Sequence, residues 1–122
     1  MGSIKRAHQE LMKISEKYES FNEEKVENIV KELIESGVIF TVGIDRALYQ
    51  YIQRVATKLG YMDIKPMDLG RVIILIDEDY LRVADKIWEY ITSGILAPGS
   101  NRNNPWFPHL HLTEKGKEFL EK

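Results

Sequence analysis

The sequence predicts a mostly helical α+β domain with a small β-hairpin near its carboxyl end. Apolar residues recur at intervals of three and four through most of the chain, which is the period of amphipathic helices. The stretch "HLHLT" at 109–113 instead alternates polar and apolar residues, as a half-buried strand does. The 122 residues, of which 43% are hydrophobic, suit a single domain with one core, and we assign residues 1–122 to it.

Composition excludes several classes of protein. The chain has no cysteine, so disulfides and thiolate metal sites are excluded. It contains neither a signal-like segment nor a long apolar run, which predicts a cytoplasmic protein without a membrane partner. The formal net charge is -2, with acids and bases in both halves, so the chain lacks the positive field of most nucleic-acid binders. Nucleic-acid binding would need a local basic patch.

Residues 1–21 show a strict three-and-four alternation, which predicts one continuous helix with an a/d heptad seam. The seam positions are Ile4, Ala7, Leu11, Ile14, Tyr18 and Phe21. This seam packs either on the domain's own helices or on a second copy of the chain. The second alternative predicts a homodimer whose contacts are Ile4, Leu11, Ile14 and Tyr18.

Residues 22–122 form the predicted core of the domain. Asn22 is placed as the N-cap of a helix that stops at Gly37. The β-branched segment 38–42 lies between glycines and predicts a strand or an extended crossing of the core. Asp45 is expected to open the next helix, which ends at Gly60.

The stretch "RVIILI" at 71–76 predicts a buried strand or the start of a buried helix, and periodicity does not choose between them. Asp77 is then predicted to cap a helix that runs to about Ser93. This helix carries two apolar stripes, so we expect it to be buried over much of its circumference, with Trp88 in the core. The stripes are Leu81, Ala84, Trp88 and Ile91, and Val83, Ile87 and Tyr90.

A hairpin and a closing helix complete the predicted order of elements. Ile95 and Leu96 form the first strand, a long polar loop follows, and "HLHLT" forms the second strand. Thr113 is predicted to cap the last helix.

This carboxyl-terminal arrangement resembles winged helix-turn-helix domains. In those domains a helix is followed by "eGll", a variable wing and a strand that reads "y-x-L-T-x-x-G". The chain has "SGIL" and "LHLTEKGKEFL" in the same order, over roughly its last third. The matching residues are Gly94, Ile95, Leu96, Leu110, Leu112, Thr113 and Gly116. The resemblance implies a winged-helix-like domain with additional N-terminal helices and a wing at about 95–112.

The resemblance also implies that the wing lies along the backbone of duplex DNA. One guanidinium and three amides at the wing tip suit phosphate oxygens. The predicted nucleic-acid-binding residues are Arg71, Arg82, Lys86, Asn101, Arg102, Asn103, Asn104, Lys115 and Lys117. The alternative is that the asparagines serve the loop itself, because they tolerate turn conformations and make Asx-turns.

Other side chains near the wing bear on this interpretation. Trp106 and Phe107 either stack on bases, fill a partner's pocket or cover the core beneath the hairpin. His109 and His111 share one strand face, but no motif supplies further ligands, so we predict a solvated face rather than a zinc site. The helix before the wing begins with Asp77, Glu78 and Asp79, and carboxylates repel phosphates.

No catalytic motif is present: the chain lacks a Gly-rich phosphate loop, Gly-x-Ser-x-Gly and His-Glu-x-x-His. We therefore expect a non-enzymatic protein without a cofactor.

Two functions stay open, a winged-helix DNA-binding protein or small regulator, and a winged-helix protein-interaction module that uses Trp106 and Phe107. Charge beside the wing distinguishes them. DNA binding is favoured if the cations near the wing converge on one face of the domain. These cations are Arg71, Lys86, Arg102, Lys115 and Lys117. Dominance of acids favours a protein partner, namely Asp77, Asp79, Asp85 and Glu89.

The heptad seam generates a first prediction, that the chain self-associates through its N-terminal helix. The double change Leu11→Asp and Ile14→Asp should dissociate the assembly, because it buries unpaired carboxylates in the seam. Sedimentation of the wild type beside this variant measures the effect. A wild type that is monomeric at micromolar concentration contradicts the prediction.

Overall fold

The computed structural model describes residues 18–43 and 47–121. Within these residues it confirms the predicted class, a mostly helical α+β fold with a two-stranded antiparallel hairpin. The helices are α1 (Glu23–Glu35), α2 (Val38–Val42), α3 (Leu48–Lys58), α4 (Asp77–Thr92) and α5 (Glu114–Glu121). A single 3-10 turn spans Pro66–Asp68, and the strands are β1 (Leu96–Pro98) and β2 (Leu110–Leu112).

Helix α1 is central to the core, because it packs against α2, α3 and α4. Asn22 caps it as predicted, since its Oδ1 accepts a hydrogen bond from the Lys25 backbone N–H at 2.8 Å. Gly37 follows the helix with a φ of 79°, the left-handed conformation that glycine adopts without strain. The apolar stripe of α1 is buried throughout and consists of Val26, Ile29, Val30, Leu33 and Ile34.

Residues 18–22 are not helical, so the predicted N-terminal helix does not extend through Phe21. Phe21 is only 1% exposed, and both its backbone N–H and its carbonyl group are hydrogen-bonded to side chains of α4. Its N–H donates to the Asp79 carboxylate at 3.2 Å, and its carbonyl accepts from Arg82 Nη1 at 2.8 Å. Tyr18 packs on Phe21 with ring centroids 5.5 Å apart. The other seam positions, Ile4, Ala7, Leu11 and Ile14, lie outside the described residues.

The predicted strand at 38–42 is wrong, because this segment forms the short helix α2. Its last backbone bond runs from the Gly43 N–H to the Ile39 carbonyl at 2.8 Å, and Ile39 is completely buried. β-branched residues favour strands mainly because they pack well on a pleated sheet, and this segment pairs with no strand among the described residues. Asp45, the predicted start of the next helix, lies outside the described residues, and α3 is described from Leu48.

The stretch 72–76 is neither of the two predicted elements, because it is an irregular segment with no strand partner in the described part of the chain. Its backbone hydrogen-bonds to the side chain of Gln53, which is 0% exposed. Gln53 Oε1 accepts from the N–H groups of Ile74 and Leu75 at 2.7 and 2.9 Å. Gln53 Nε2 donates to the Val72 carbonyl at 2.7 Å. One carboxamide thus takes the place of a neighbouring strand.

Helix α4 begins at Asp77, which is its first helical residue rather than the predicted cap. One of its two apolar stripes is buried, the one formed by Val83, Ile87 and Tyr90. The other stripe faces solvent at Leu81 and Trp88, which are 55% and 45% exposed. The prediction that Trp88 lies in the core is therefore wrong, because the domain covers only one side of the helix.

The predicted hairpin is present with different bounds, since β1 begins at Leu96 rather than Ile95 and β2 at Leu110 rather than His109. Leu96 lies opposite Leu112 and Pro98 opposite Leu110. Thr113 caps α5 as predicted, since its Oγ1 accepts from the Gly116 N–H at 2.9 Å and donates to the Ile95 carbonyl at 3.0 Å. A Cβ at Gly116 would lie 2.3 Å from that carbonyl oxygen. Glycine is therefore required where α5 crosses the start of the hairpin.

The carboxamide of Gln53 generates a second prediction. Gln53→Leu should lower the free energy of unfolding by about 2 kcal/mol or more, because it leaves the buried N–H groups of Ile74 and Leu75 without partners, each at about 1–3 kcal/mol, and also frees the part-buried Val72 carbonyl. Gln50→Leu is the matched control, since Gln50 lies on the same helix and its Oε1 has no hydrogen-bond partner among the described residues. Urea unfolding followed by circular dichroism measures both. Equal losses in the two variants would contradict the role of Gln53.

Candidate functional site

The hairpin loop (residues 99–109) is held together by its own polar groups. Asn101 Oδ1 accepts from the backbone N–H groups of Asn103 and Asn104, both at 2.9 Å. The Ser100 N–H donates to the Asn104 carbonyl at 2.8 Å. Asn101 therefore makes an Asx-turn, the alternative to phosphate binding for this residue. The side chains of Arg102, Asn103 and Asn104 are exposed at the tip.

Two glycines allow close backbone contacts, one within the loop and one between the loop and the end of α2. A Cβ at Gly99 would lie 2.8 Å from the Pro105 carbonyl oxygen, and one at Gly43 would lie 2.1 Å from that of Pro108. The end of α2 therefore packs directly on the base of the hairpin loop. This packing sets the position of Phe107, which precedes Pro108 across a cis peptide bond.

Phe107 reaches back to α4 and stacks on Trp88. The ring centroids are 5.1 Å apart and the planes are inclined by 23°. Both rings stay substantially exposed, at 42% for Phe107 and 45% for Trp88. Leu81 lies seven residues before Trp88, hence on the same side of α4. We call Leu81, Trp88 and Phe107 the aromatic face, and Trp106, which is 76% exposed, is adjacent to it in the loop.

Carboxylates accompany the aromatic face along α4. Asp85 lies one helical turn from both Leu81 and Trp88 and is exposed. Asp77 and Glu78 are exposed at the amino end of the helix, and Glu89 is exposed one turn beyond Asp85. Asp79, the remaining predicted acid, is 0% exposed and contributes to the core instead. The solvent face of α4 is therefore apolar and acidic.

Four of the six predicted phosphate-binding cations have hydrogen-bond or ion-pair partners within the described residues, although only Lys86 among them is largely covered. Lys86 forms ion pairs with Glu23 and Glu89, and its side chain is only 11% exposed. The hydrogen bond to Glu23 is the main cause that raises the pKa of the Lys86 ammonium above its usual value. Arg82 donates to the Phe21 carbonyl, as described above.

The remaining cations are distributed over other elements. Lys115 Nζ donates to the Ser93 carbonyl at 2.8 Å, at the end of α4. Lys117 pairs with Glu114 on α5 at 3.1 Å. Arg71 and Arg102 are exposed and form no ion pair with any described residue. The five cations whose convergence would favour DNA thus lie on four separate parts of the chain, and three of them have partners among the described residues.

A groove of about 370 Å³ lies between α1 and α4. Its lining is Phe21, Asn22, Glu23, Val26, Arg82, Asp85, Lys86 and Glu89. Asp85 belongs both to this groove and to the solvent face of α4. The groove therefore borders the aromatic face on its acidic side.

His111 lies on β2, whereas His109, which was predicted to share its strand face, precedes that strand in the hairpin loop. His111 Nδ1 lies 2.8 Å from the Gly99 carbonyl oxygen, so this ring atom hydrogen-bonds to the hairpin backbone. Within 18–43 and 47–121, no three His, Asp or Glu side chains are grouped as a metal site. None of the helices described there combines the length and the hydropathy that a membrane crossing requires.

Comparison of the chain with family models, with curated proteins and with solved structures gave no match. The resemblance to winged-helix domains therefore stays a prediction that rests on the sequence pattern.

Sequence reasoning placed Trp106 and Phe107 near the site but missed Trp88 and Leu81, which it assigned to the core. One feature of the sequence could have indicated that Trp88 and Leu81 are exposed. Helix α4 carries two apolar stripes, whereas a helix at the surface of a small domain needs only one.

The exposure of Trp88 generates a third prediction. Trp88→Ala should lower the free energy of unfolding by about 1–2 kcal/mol, since half of the ring and one stacking contact are lost. The neighbouring buried change Ile87→Ala should cost about 2–5 kcal/mol. In a Trp106→Phe background, Trp88 should also be quenched by acrylamide in the native state. Blue-shifted emission that resists quenching would contradict the exposed position.

Proposed function

We propose that the domain is a non-enzymatic interaction module that docks another protein on its aromatic face. This proposal rests on the exposed stack of Trp88 and Phe107, with Leu81 exposed two helical turns earlier on the same side of α4. Clusters of exposed large apolar side chains mark interaction surfaces, and Trp is among the residues most enriched at binding hot spots. Phe107 is fixed by the packing of the loop on Gly43, so the face is preformed and its ordering adds little cost to binding.

Charge supports a protein partner over a nucleic acid. If the chain is a winged-helix domain, α4 corresponds to the recognition helix, whose solvent face meets the DNA groove. That face presents Asp77, Glu78 and Asp85, and carboxylates repel phosphates. Of the two cations on this helix, Lys86 is paired with two glutamates, and Arg82 is paired with Asp79 and donates to the Phe21 carbonyl.

A DNA-binding protein or small regulator is the second candidate, and one observation favours it. Arg102 is exposed at the loop tip between exposed asparagine side chains and forms no ion pair with a described residue. A guanidinium in this position suits a phosphate contact.

The two candidates rank the same substitutions in opposite order, which gives a fourth prediction. Proteins captured by the wild type from its source cells, after nuclease treatment, are purified and titrated against each variant by calorimetry. Trp88→Ala should weaken the interaction about thirtyfold, which corresponds to a hot spot of about 2 kcal/mol. Arg102→Ala at the solvated tip should change it less than about twofold.

Titration of duplex DNA at low ionic strength provides the opposing result. If the DNA candidate is correct, affinity depends on salt, and Arg102→Ala lowers the salt slope by about one unit because one phosphate contact is lost. Trp88→Ala would then have little effect. This outcome would overturn the protein-docking proposal.

A further inference from the structure

We infer that the docked partner is a basic amphipathic peptide segment, whose apolar residues cover the aromatic face and whose Lys or Arg pairs with Asp85. This inference rests on the proposed function and specifies the partner of the same site.

Asp85 is the charge that lies closest to the apolar anchors. It is four residues after Leu81 and three before Trp88, so its side chain is a helix-surface neighbour of both. It is exposed and forms neither an ion pair nor a hydrogen bond with any residue in the described part of the chain. A partner that covers Leu81 and Trp88 therefore also covers Asp85.

Neither cation of α4 pairs with Asp85. Arg82, whose side chain is 50% exposed, donates to the Phe21 carbonyl and pairs with Asp79. Lys86 is enclosed by Glu23 and Glu89, with only 11% of its side chain exposed. A partner that removes water from Asp85 must supply a positive charge of its own, since an unpaired carboxylate in an interface is costly.

The other exposed carboxylates of α4 extend the same negative potential. Asp77 and Glu78 lie before Leu81, and Glu89 lies beside the groove between α1 and α4. This potential attracts basic segments and repels acidic ones, DNA and anionic lipid surfaces. Because these charges are exposed, salt should weaken the attraction.

The spacing of the anchors fits a helical peptide. Leu81 and Trp88 are separated by about two helical turns, or about 10 Å along α4. A peptide helix lying along α4 presents apolar residues at i and i+7 to them and a Lys or Arg at i+3 or i+4 to Asp85. The same register brings the peptide against Phe107 at the edge of the loop.

The test uses two dye-labelled synthetic peptides with one helical apolar pattern of leucines, in which all other positions are lysine in one and glutamate in the other. Fluorescence anisotropy measures their affinity for the whole chain at low and high salt. The Leu–Lys peptide should bind, more weakly as salt increases, and the Leu–Glu peptide should not. Asp85→Lys should lower the affinity about tenfold, because two positive charges then meet in the interface.

The matched control is Glu118→Lys, which makes the same charge change at an exposed position of α5. It should alter the affinity less than about twofold if the local pairing matters. Asp85→Asn, which removes the charge without reversing it, should have an intermediate effect. Circular dichroism confirms that each variant is folded.

Equal losses in Asp85→Lys and Glu118→Lys would overturn the inference, because attraction would then depend on net charge alone. If both peptides bound equally and Trp88→Ala abolished this binding, the inference of a basic partner would be overturned. The aromatic face would still be supported as a docking site. Binding of the Leu–Lys peptide that is unchanged in Trp88→Ala would overturn both proposals. Failure of both peptides to bind would overturn the inference.

Discussion

The carboxamide of Gln53 holds the chain where it enters α4. Three backbone groups of the segment 72–76 hydrogen-bond to this one buried side chain. Without it all three would lose their partner, and the buried N–H groups of Ile74 and Leu75 would each cost about 1–3 kcal/mol. Because the segment leads directly into Asp77, these bonds also hold the amino end of α4. Trp88 lies on the stripe of that helix that faces solvent.

A second set of contacts fixes the same end of α4. The Asp79 carboxylate binds the Phe21 N–H, and the Tyr18 hydroxyl accepts from the Ile76 N–H at 2.8 Å. Burial is the main cause that raises the pKa of Tyr18 to about 12, so the hydroxyl stays protonated at neutral pH. The acidic first turn of α4 thus serves two purposes. Asp79 ties the chain before α1 to this helix, whereas its neighbours remain at the surface.

Local chemistry allowed parts of the fold to be predicted from sequence. Asn22 and Thr113 were identified as caps because capping depends on one side chain and nearby backbone N–H groups. The hairpin followed from strict alternation around Leu110 and Leu112. The errors at 38–42 and 71–76 have a different origin: both segments are apolar and β-branched, and their conformation depends on partners distant in sequence. No periodicity reveals that Gln53, about twenty residues earlier, supplies the hydrogen bonds of a missing strand.

The candidate site was predictable only in part for the same reason. Trp106 and Phe107 could be identified from the sequence because they are aromatic residues in a polar loop. Trp88 lies on another element, and the two apolar stripes of α4 did not show which side of the helix the domain covers. The face combines one ring from α4 with one from the hairpin loop, and the loop packs closely on Gly43 at the end of α2. Its shape therefore depends on the packing of the hairpin against α2, while its charge depends on Lys86 being held by Glu23 and Glu89. Because these ion pairs engage Lys86, the solvent face of α4 combines apolar side chains with exposed carboxylates. Such a face suits a basic protein segment and does not suit phosphate.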